Sequence, residues 1–308
     1  MDTKERFLYT VQFLDRLGGL RTASYREDFG YQERSLPRTE GIEPVGILDR
    51  VYVVDRFSSD IRNEKGTVLV DVGCHSGIRF TVEFARQRPN IKVVGIEASF
   101  SPENFSGDVN FGSRKFRTKV EVLRYLTQLH NGIGNLEFEE TYFDSQYPLS
   151  TRYDGGQKVL TGFRCPGIVG ADLVQQAVRV GIDFVLSTPI NLPELRNRNG
   201  KEIEEKNGRK YGYSFPISEY AKQFQIDPQF LHRLIKAPHR RQKKGGEFIP
   251  LERRDEHNMI VSILAKQLVC LDRCLFLEEN RFRTELWRYT DGDEGPYAPH
   301  HLIVGRRA

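Results

Sequence analysis

Two features of this 308-residue sequence predict a single open α/β sheet, mostly parallel. From Thr67 to Thr188, short β-branched runs alternate with helix-like stretches, and after Glu256 one long apolar helix is followed by two further strands. Strand, helix, strand spacing of this kind describes right-handed crossovers between parallel strands. Seven candidate strands with their linking helices make one sheet more economical than two domains. The expected organisation is an N-terminal extension over 1–62 and a main domain over 63–308, with an insertion at 191–255.

The elements follow in order. Glu5 to Leu17 reads as a short amphipathic helix, and 49–62 contains a second, with Val51, Val54 and Phe57 at three-residue spacing. Between them lies a polar, Gly- and Pro-punctuated stretch that reads as a long surface loop. TVLVDV (67–72) and IKVVGIEA (91–98) are strands flanking an amphipathic helix in IRFTVEFARQRPN. Arg114 to His130 predicts a helix with Val120, Leu123 and Leu126 facing inward and Leu129 extending the stripe. LEFEE (136–140) is the third strand, KVLTGF (158–163) the fourth and IDFVLST (182–188) the fifth, with a helix ending at Gly181 before the last of these. Inside the polar insertion, ISEYAKQF and PQFLHRLI are candidate short helices. EHNMIVSILAKQLVCLDRCLFLEEN is one long helix, and FRTELWRY (282–289) and HLIVGR (301–306) are the terminal strands.

Composition bounds the function. Hydrophobic residues make up 38% and charged residues 29%, with 27 Gly and 14 Pro, which fits a folded protein rich in loops. The sequence has no apolar stretch long enough to cross a bilayer. MDTKERFLYTV is not a secretory leader, so a cytoplasmic setting is expected. Four cysteines are too few for a disulfide scaffold in a chain of this size. The net charge of +4 is mild, but HRLIKAPHRRQKKGGEFIPLERR (232–254) concentrates Lys and Arg. That run is either a polyanion-binding surface or a solvated charged loop.

The most informative stretch is VLVDVGCHSGIRF (68–80), where the first strand gives out into a turn containing Gly73 and Gly77. A residue without a side chain lets backbone approach a ligand closely, and an acid at the tip of the neighbouring strand, here Glu97, can accept hydrogen bonds from ribose hydroxyls. His75 stands where a dinucleotide fingerprint has its middle glycine, and its side chain crowds the place of a pyrophosphate. The plain alternative is a tight turn beside a surface acid.

VLVDVGCHSG followed by VVGIE resembles the first two motifs of the Rossmann-like, class I S-adenosylmethionine-dependent methyltransferases. Asp71, Gly73 and Gly77 match the first motif, and His75 departs from it. The resemblance implies a Rossmann-like seven-stranded, mostly parallel sheet with an antiparallel last strand and helices on both faces, preceded by an N-terminal helical extension and interrupted by an insertion after the fifth strand. It implies S-adenosyl-L-methionine as cofactor: Asp71 orienting the loop and the methionine end, Gly73, Cys74 and Gly77 lining the ligand, and Glu97 gripping the ribose. By position Asp144 resembles the acid that binds the adenine amino group, with Tyr142 or Phe143 placed to pack on the ring; the local sequence equally permits an ordinary solvent-exposed Asp there. KVLTGFRCPG and the C-terminal segments are similar to a subgroup that includes transfer RNA 2'-O-methylating enzymes and poorly assigned relatives. There Arg164 and Pro166 replace the usual histidine and cysteine of the fourth-strand loop, while Gly167 agrees.

Acceptor chemistry must come from the carboxyl ends of the strands. The candidates are His75, Asp144, Arg164 and Cys165, with Thr188, Pro189 and Asn191 after the fifth strand. Arg164 either binds a phosphate or carboxylate of the acceptor or pairs with a nearby acid. Cys165 is a small buried apolar group, a polar pocket wall or a nucleophile. Cys270 and Cys274 share one helical face among apolar residues and are expected in the core, so no metal is required. His300 and His301 either wall the pocket or lie exposed near the terminus. The basic 232–254 segment is the expected contact for RNA or a ribonucleoprotein, and the leading functional expectation is methyl transfer to RNA. Methylation of a small molecule or protein, and a catalytically inactive binding or assembly factor, are the alternatives.

Overall fold

In the computed structural model of the chain, the described residues are 1–16, 41–42, 56–74, 78–97, 100, 102, 115–143, 146–153, 155–163, 173–188, 215–226, 231, 234, 256–290 and 299–308. The elements are α1 (Thr3–Arg16), β1 (Gly41–Ile42), β2 (Val68–Val72), α2 (Ile78–Gln87), β3 (Lys92–Glu97), α3 (Lys119–His130), β4 (Leu136–Glu140), α4 (Leu149–Arg152), β5 (Lys158–Phe163), α5 (Leu173–Arg179), β6 (Phe184–Thr188), α6 (Glu219–Lys222), α7 (Glu256–Glu279), β7 (Phe282–Thr290) and β8 (Pro299–Arg307). All seven expected strands form, and they hydrogen-bond in the order β7-β8-β6-β5-β2-β3-β4, with two-residue β1 added at the β7 edge. Every pairing is parallel except those of β8, which runs antiparallel to both β6 and β7.

The pleat sorts the core into two faces. Val68, Val70 and Val72 of β2 join Val94, Ile96, Leu160 and Val185 in a cluster with α1, α5 and α7. Leu69, Val93, Val159, Phe184 and Leu186 face the other way, onto Phe80 and Phe84 of α2 and onto Phe57 and Ile61. All five residues of β2 are buried, as expected of a central parallel strand covered on both sides. β4, at the opposite edge from β1, keeps its acids in ion pairs: Lys92 with Glu137 at 2.5 Å, Lys119 with Glu140 at 2.5 Å, and Arg152 with Glu139. Burial, reinforced by Glu137, pushes the Tyr153 hydroxyl up to about 12.

Local chemistry explains where the helices begin and end. Asp2 and Glu5 cap α1 reciprocally: the Glu5 N–H donates to Asp2 Oδ1 at 2.8 Å and the Asp2 N–H to Glu5 Oε2 at 2.9 Å. Thr118 caps α3 by accepting from the Glu121 N–H at 3.2 Å. α5 stops where Gly181 takes φ +78°, and the Ile182 N–H reaches back to the Ala177 carbonyl at 2.9 Å. Asn135, in the turn before β4, donates from Nδ2 to the carbonyls of Ala85, Arg88 and Ile91, tying that turn to the α2–β3 connection.

One helix expectation is corrected. α3 starts at Lys119, and its inward face is Val122, Tyr125 and Leu126, whereas Val120 is 63% and Leu123 43% exposed. At 100° per residue Val120 lies opposite Val122, and the ring of Tyr125 supplies the apolar contact that a hydrophobic-only count passes over. Of the helix expected over 49–62, Arg56 is helical and a 3-10 turn follows at Ser58–Asp60; 49–55 lie outside the described residues. That turn is held down by Arg306, which donates to both Asp60 carboxylate oxygens at 2.8 and 2.9 Å.

α7 is buried almost all round because the sheet lies on one side and α1 and α6 on the other. Ile263, Leu264, Leu268, Leu271 and Leu275 are buried, and so are Ala265, Val269, Cys270, Cys274 and Leu277. Both cysteines pack in the core as expected, and burial pushes the Cys274 thiol up. The described part of the insertion docks on this helix. Asp272 accepts from the Ile217 N–H at 2.8 Å, the Ser218 N–H at 2.9 Å and the Ser218 hydroxyl at 2.7 Å, while Phe7 of α1 packs on Tyr220 and Phe224. Burial raises the Asp272 carboxyl above its ordinary value, opposed by Ser218 and Ile217. Of PQFLHRLI, only Leu231 and Leu234 are described, both buried in the same cluster.

Replacing Asp272 with Ala strands three buried donors, and a loss of about 3 kcal/mol is expected in urea unfolding. Limited proteolysis should then cut within 215–226 sooner than in the wild type; unchanged stability and cleavage would remove Asp272 as the anchor of this segment.

Candidate functional site

The sheet turns back on itself beside β2. From β2 the chain adds β3 and β4 on one side, then returns to place β5 on the other. In an open parallel sheet the crevice beyond the carboxyl ends at such a reversal is where ligands bind. β2 ends there in Val72, Gly73 and Cys74, β3 in Glu97, and β5 in Phe163.

Gly73 leaves the strand at φ +70°, which an L side chain rarely adopts, while its N–H still donates to the Ile96 carbonyl at 2.9 Å. That bond sets the turn directly beside Glu97, whose register lies one step past the Val72–Ile96 pair. Glu97 is 6% exposed, and its carbonyl accepts from the Thr141 N–H at 3.0 Å. β3 reaches this position because Gly95 leaves room for its neighbours: a Cβ there would meet the Phe138 ring at 2.7 Å and Cys74 Sγ at 3.1 Å.

Asp71 is fully buried one pleat before the turn. Its Oδ2 accepts from the Thr81 hydroxyl of α2 at 2.6 Å, and its Oδ1 from the Thr161 hydroxyl of β5 at 3.0 Å. Thr161 is also its Cα partner in the β2–β5 ladder. Held at both oxygens, the side chain of Asp71 fastens three elements, β2, α2 and β5, at the base of the crevice. Neither threonine stands out in the sequence as a functional residue. The available signal was a hydroxyl inside the otherwise apolar KVLTGF strand, and only the register supplies its partner.

The other expected cofactor residues divide. Cys74 is fully buried, and its side chain packs with Phe100, Val122 and Leu126 rather than lining an opening. Phe143 is 1% exposed and stacks on Tyr147 at 5.3 Å within the larger core cluster, which leaves half-buried Tyr142 as the more accessible ring of that pair. His75, Gly77, Asp144, Arg164 and Cys165 lie outside the described residues, as do Pro189 and Asn191. Thr188 is buried at the end of β6. Because β8 runs backwards, its early residues return to this end of the sheet, and His301 is buried there rather than exposed. Among the described residues no group of three or more His, Cys, Asp or Glu could hold a metal ion.

No protein-family model matches the chain, and no curated protein matches it in sequence. Solved structures are similar in layout. A SAM-dependent methyltransferase from Aquifex aeolicus is 10% identical, with 82% of this chain and 89% of that chain covered at a TM-score of 0.36. A precorrin-6y C5,15-methyltransferase from Geobacter metallireducens is also 10% identical, covering 83% of this chain and 88% of that one at 0.36. The fibrillarin/Nop5p complex gives 12% identity, 80% and 74% coverage and 0.34. The fold itself is defined by the strand order and by antiparallel β8: a Rossmann-like α/β sheet.

Gly73→Ala places a side chain on a left-handed backbone and is expected to cost about 1–2 kcal/mol by thermal unfolding. A variant as stable as the wild type would show that the turn relaxes to negative φ without penalty.

Proposed function

We propose that this chain is an S-adenosylmethionine-dependent methyltransferase. The observation that carries the reading is the pairing of the Gly73 turn with Glu97 at the reversal point of the sheet, joined by the Gly73 N–H to Ile96 bond. A glycine turn offers its backbone to the ligand's tail while a carboxylate on the next strand takes the ribose hydroxyls. In this reading Tyr142, two residues past β4, takes the adenine ring and Asp144 the adenine amino group. S-adenosylmethionine would supply the methyl group from its sulfonium; the protein's part is to hold donor and acceptor in line and to accept the proton if the acceptor is a hydroxyl.

RNA is the acceptor we favour. The support is the basic 232–254 run, with eight Lys and Arg against two Glu, in an insertion whose described part is anchored on α7. His75, Arg164 and Cys165 are the residues assigned to the acceptor in this reading, and the protein works in the cytoplasm, in contact with RNA or a ribonucleoprotein. A second reading, a methyltransferase-like assembly factor that binds no donor, draws on the engagement of Cys74 and Phe143 in the core.

Calorimetry separates the two: the enzyme binds S-adenosylmethionine and the assembly factor does not. Glu97→Ala is expected to weaken that binding about 10- to 100-fold through lost hydrogen bonds to a charged acceptor. Undiminished affinity would remove Glu97 from the ribose. Transfer of labelled methyl into RNA, protein and metabolite fractions identifies the acceptor, and label confined to protein or metabolites would overturn the RNA assignment.

A further inference from the structure

The turn that begins at Gly73 must return to α2 at Ile78, and its two flanks are fastened to each other. Asp71, two residues before Gly73, accepts from the Thr81 hydroxyl on the first turn of α2 at 2.6 Å. The second carboxylate oxygen accepts from Thr161 of β5 at 3.0 Å. A carboxylate held at one oxygen still swings about its side-chain torsions; held at both, from two different elements, it has one orientation. All three side chains are fully buried, so water does not compete for these bonds. The arrangement closes the ends of the turn at a fixed separation and ties that separation to β5, the strand leading into Arg164 and Cys165.

We propose that Thr81 and Thr161 are positioning residues of the donor site, acting through Asp71 to hold the Gly73 turn in its binding geometry. The inference rests on the methyltransferase reading. Neither threonine touches the donor; each removes freedom from the carboxylate that joins the two ends of the loop, so that their spacing is already set when the ligand arrives.

The test is calorimetry of the full-length chain with S-adenosylmethionine and with S-adenosylhomocysteine, alongside thermal unfolding of each variant. Thr161→Val keeps the shape and removes the hydroxyl, and it should weaken both ligands about tenfold. Thr161→Ser should bind as the wild type does. In an Asp71→Ala background, Thr161→Val should add no further loss, because the acceptor through which it acts is already gone. If Thr161→Val unfolds at the assay temperature, Thr81→Val reads the same clamp from the helix side. Folded valine variants that bind within twofold of the wild type overturn the inference while leaving the methyltransferase reading standing, as does a full additional loss in the Asp71→Ala background. A folded wild type that binds neither ligand overturns both.

Discussion

A carboxylate with no access to water must find its hydrogen bonds inside the protein, and Thr81 and Thr161 each supply one to Asp71. The consequence reaches across the sheet. β2 is central, with β3 on one side and β5 on the other, and α2 covers the face that Asp71 points into. One side chain thus links the first crossover helix to the strand that returns after the reversal. The crevice at the carboxyl ends is built around that link, because Gly73 and Glu97 both depend on where β2 stops.

The second organising constraint is the position of α7. A helix with a single apolar stripe would leave its outer side to solvent, yet α7 is apolar around nearly its whole circumference. It needs covering on both sides, and the outer cover comes from α1 together with residues 215–226. Asp272 is the polar counterpart of that apolar contact, satisfying the backbone donors where the chain enters α6. The N-terminal extension and the insertion are therefore parts of one packing problem: both are needed because the last helix is too apolar to serve as a surface.

These constraints shape what the site offers chemically. Packing around Gly95 draws Cys74 and Phe138 together and takes the cysteine side chain out of the crevice, and the core claims Phe143 in the same way. What the described residues present at the reversal point is backbone at Gly73, a nearly buried carboxylate at Glu97 and a half-buried ring at Tyr142. A hydrogen-bonding acid beside a close-approach turn suits a ligand with paired hydroxyls and an adjoining tail.

Local pattern was enough to reveal the seven long strands, the final helix and the turn after Val72, because each depends on residues close together in the chain: β-branched runs, apolar spacing, and glycine where the backbone needs it. The inward face of α3 was misread for the same reason, since apolar spacing alone counted Val120 and Leu123 and passed over the ring of Tyr125. Strand order, the partners of Asp71 and the docking of 215–226 on α7 required the tertiary structure. Thr161 lies 90 positions from Asp71, and Asp272 lies 54 from Ser218. Such pairs exist only once a register has been chosen, and register is decided by the packing of whole faces against one another, to which no local stretch of sequence has access.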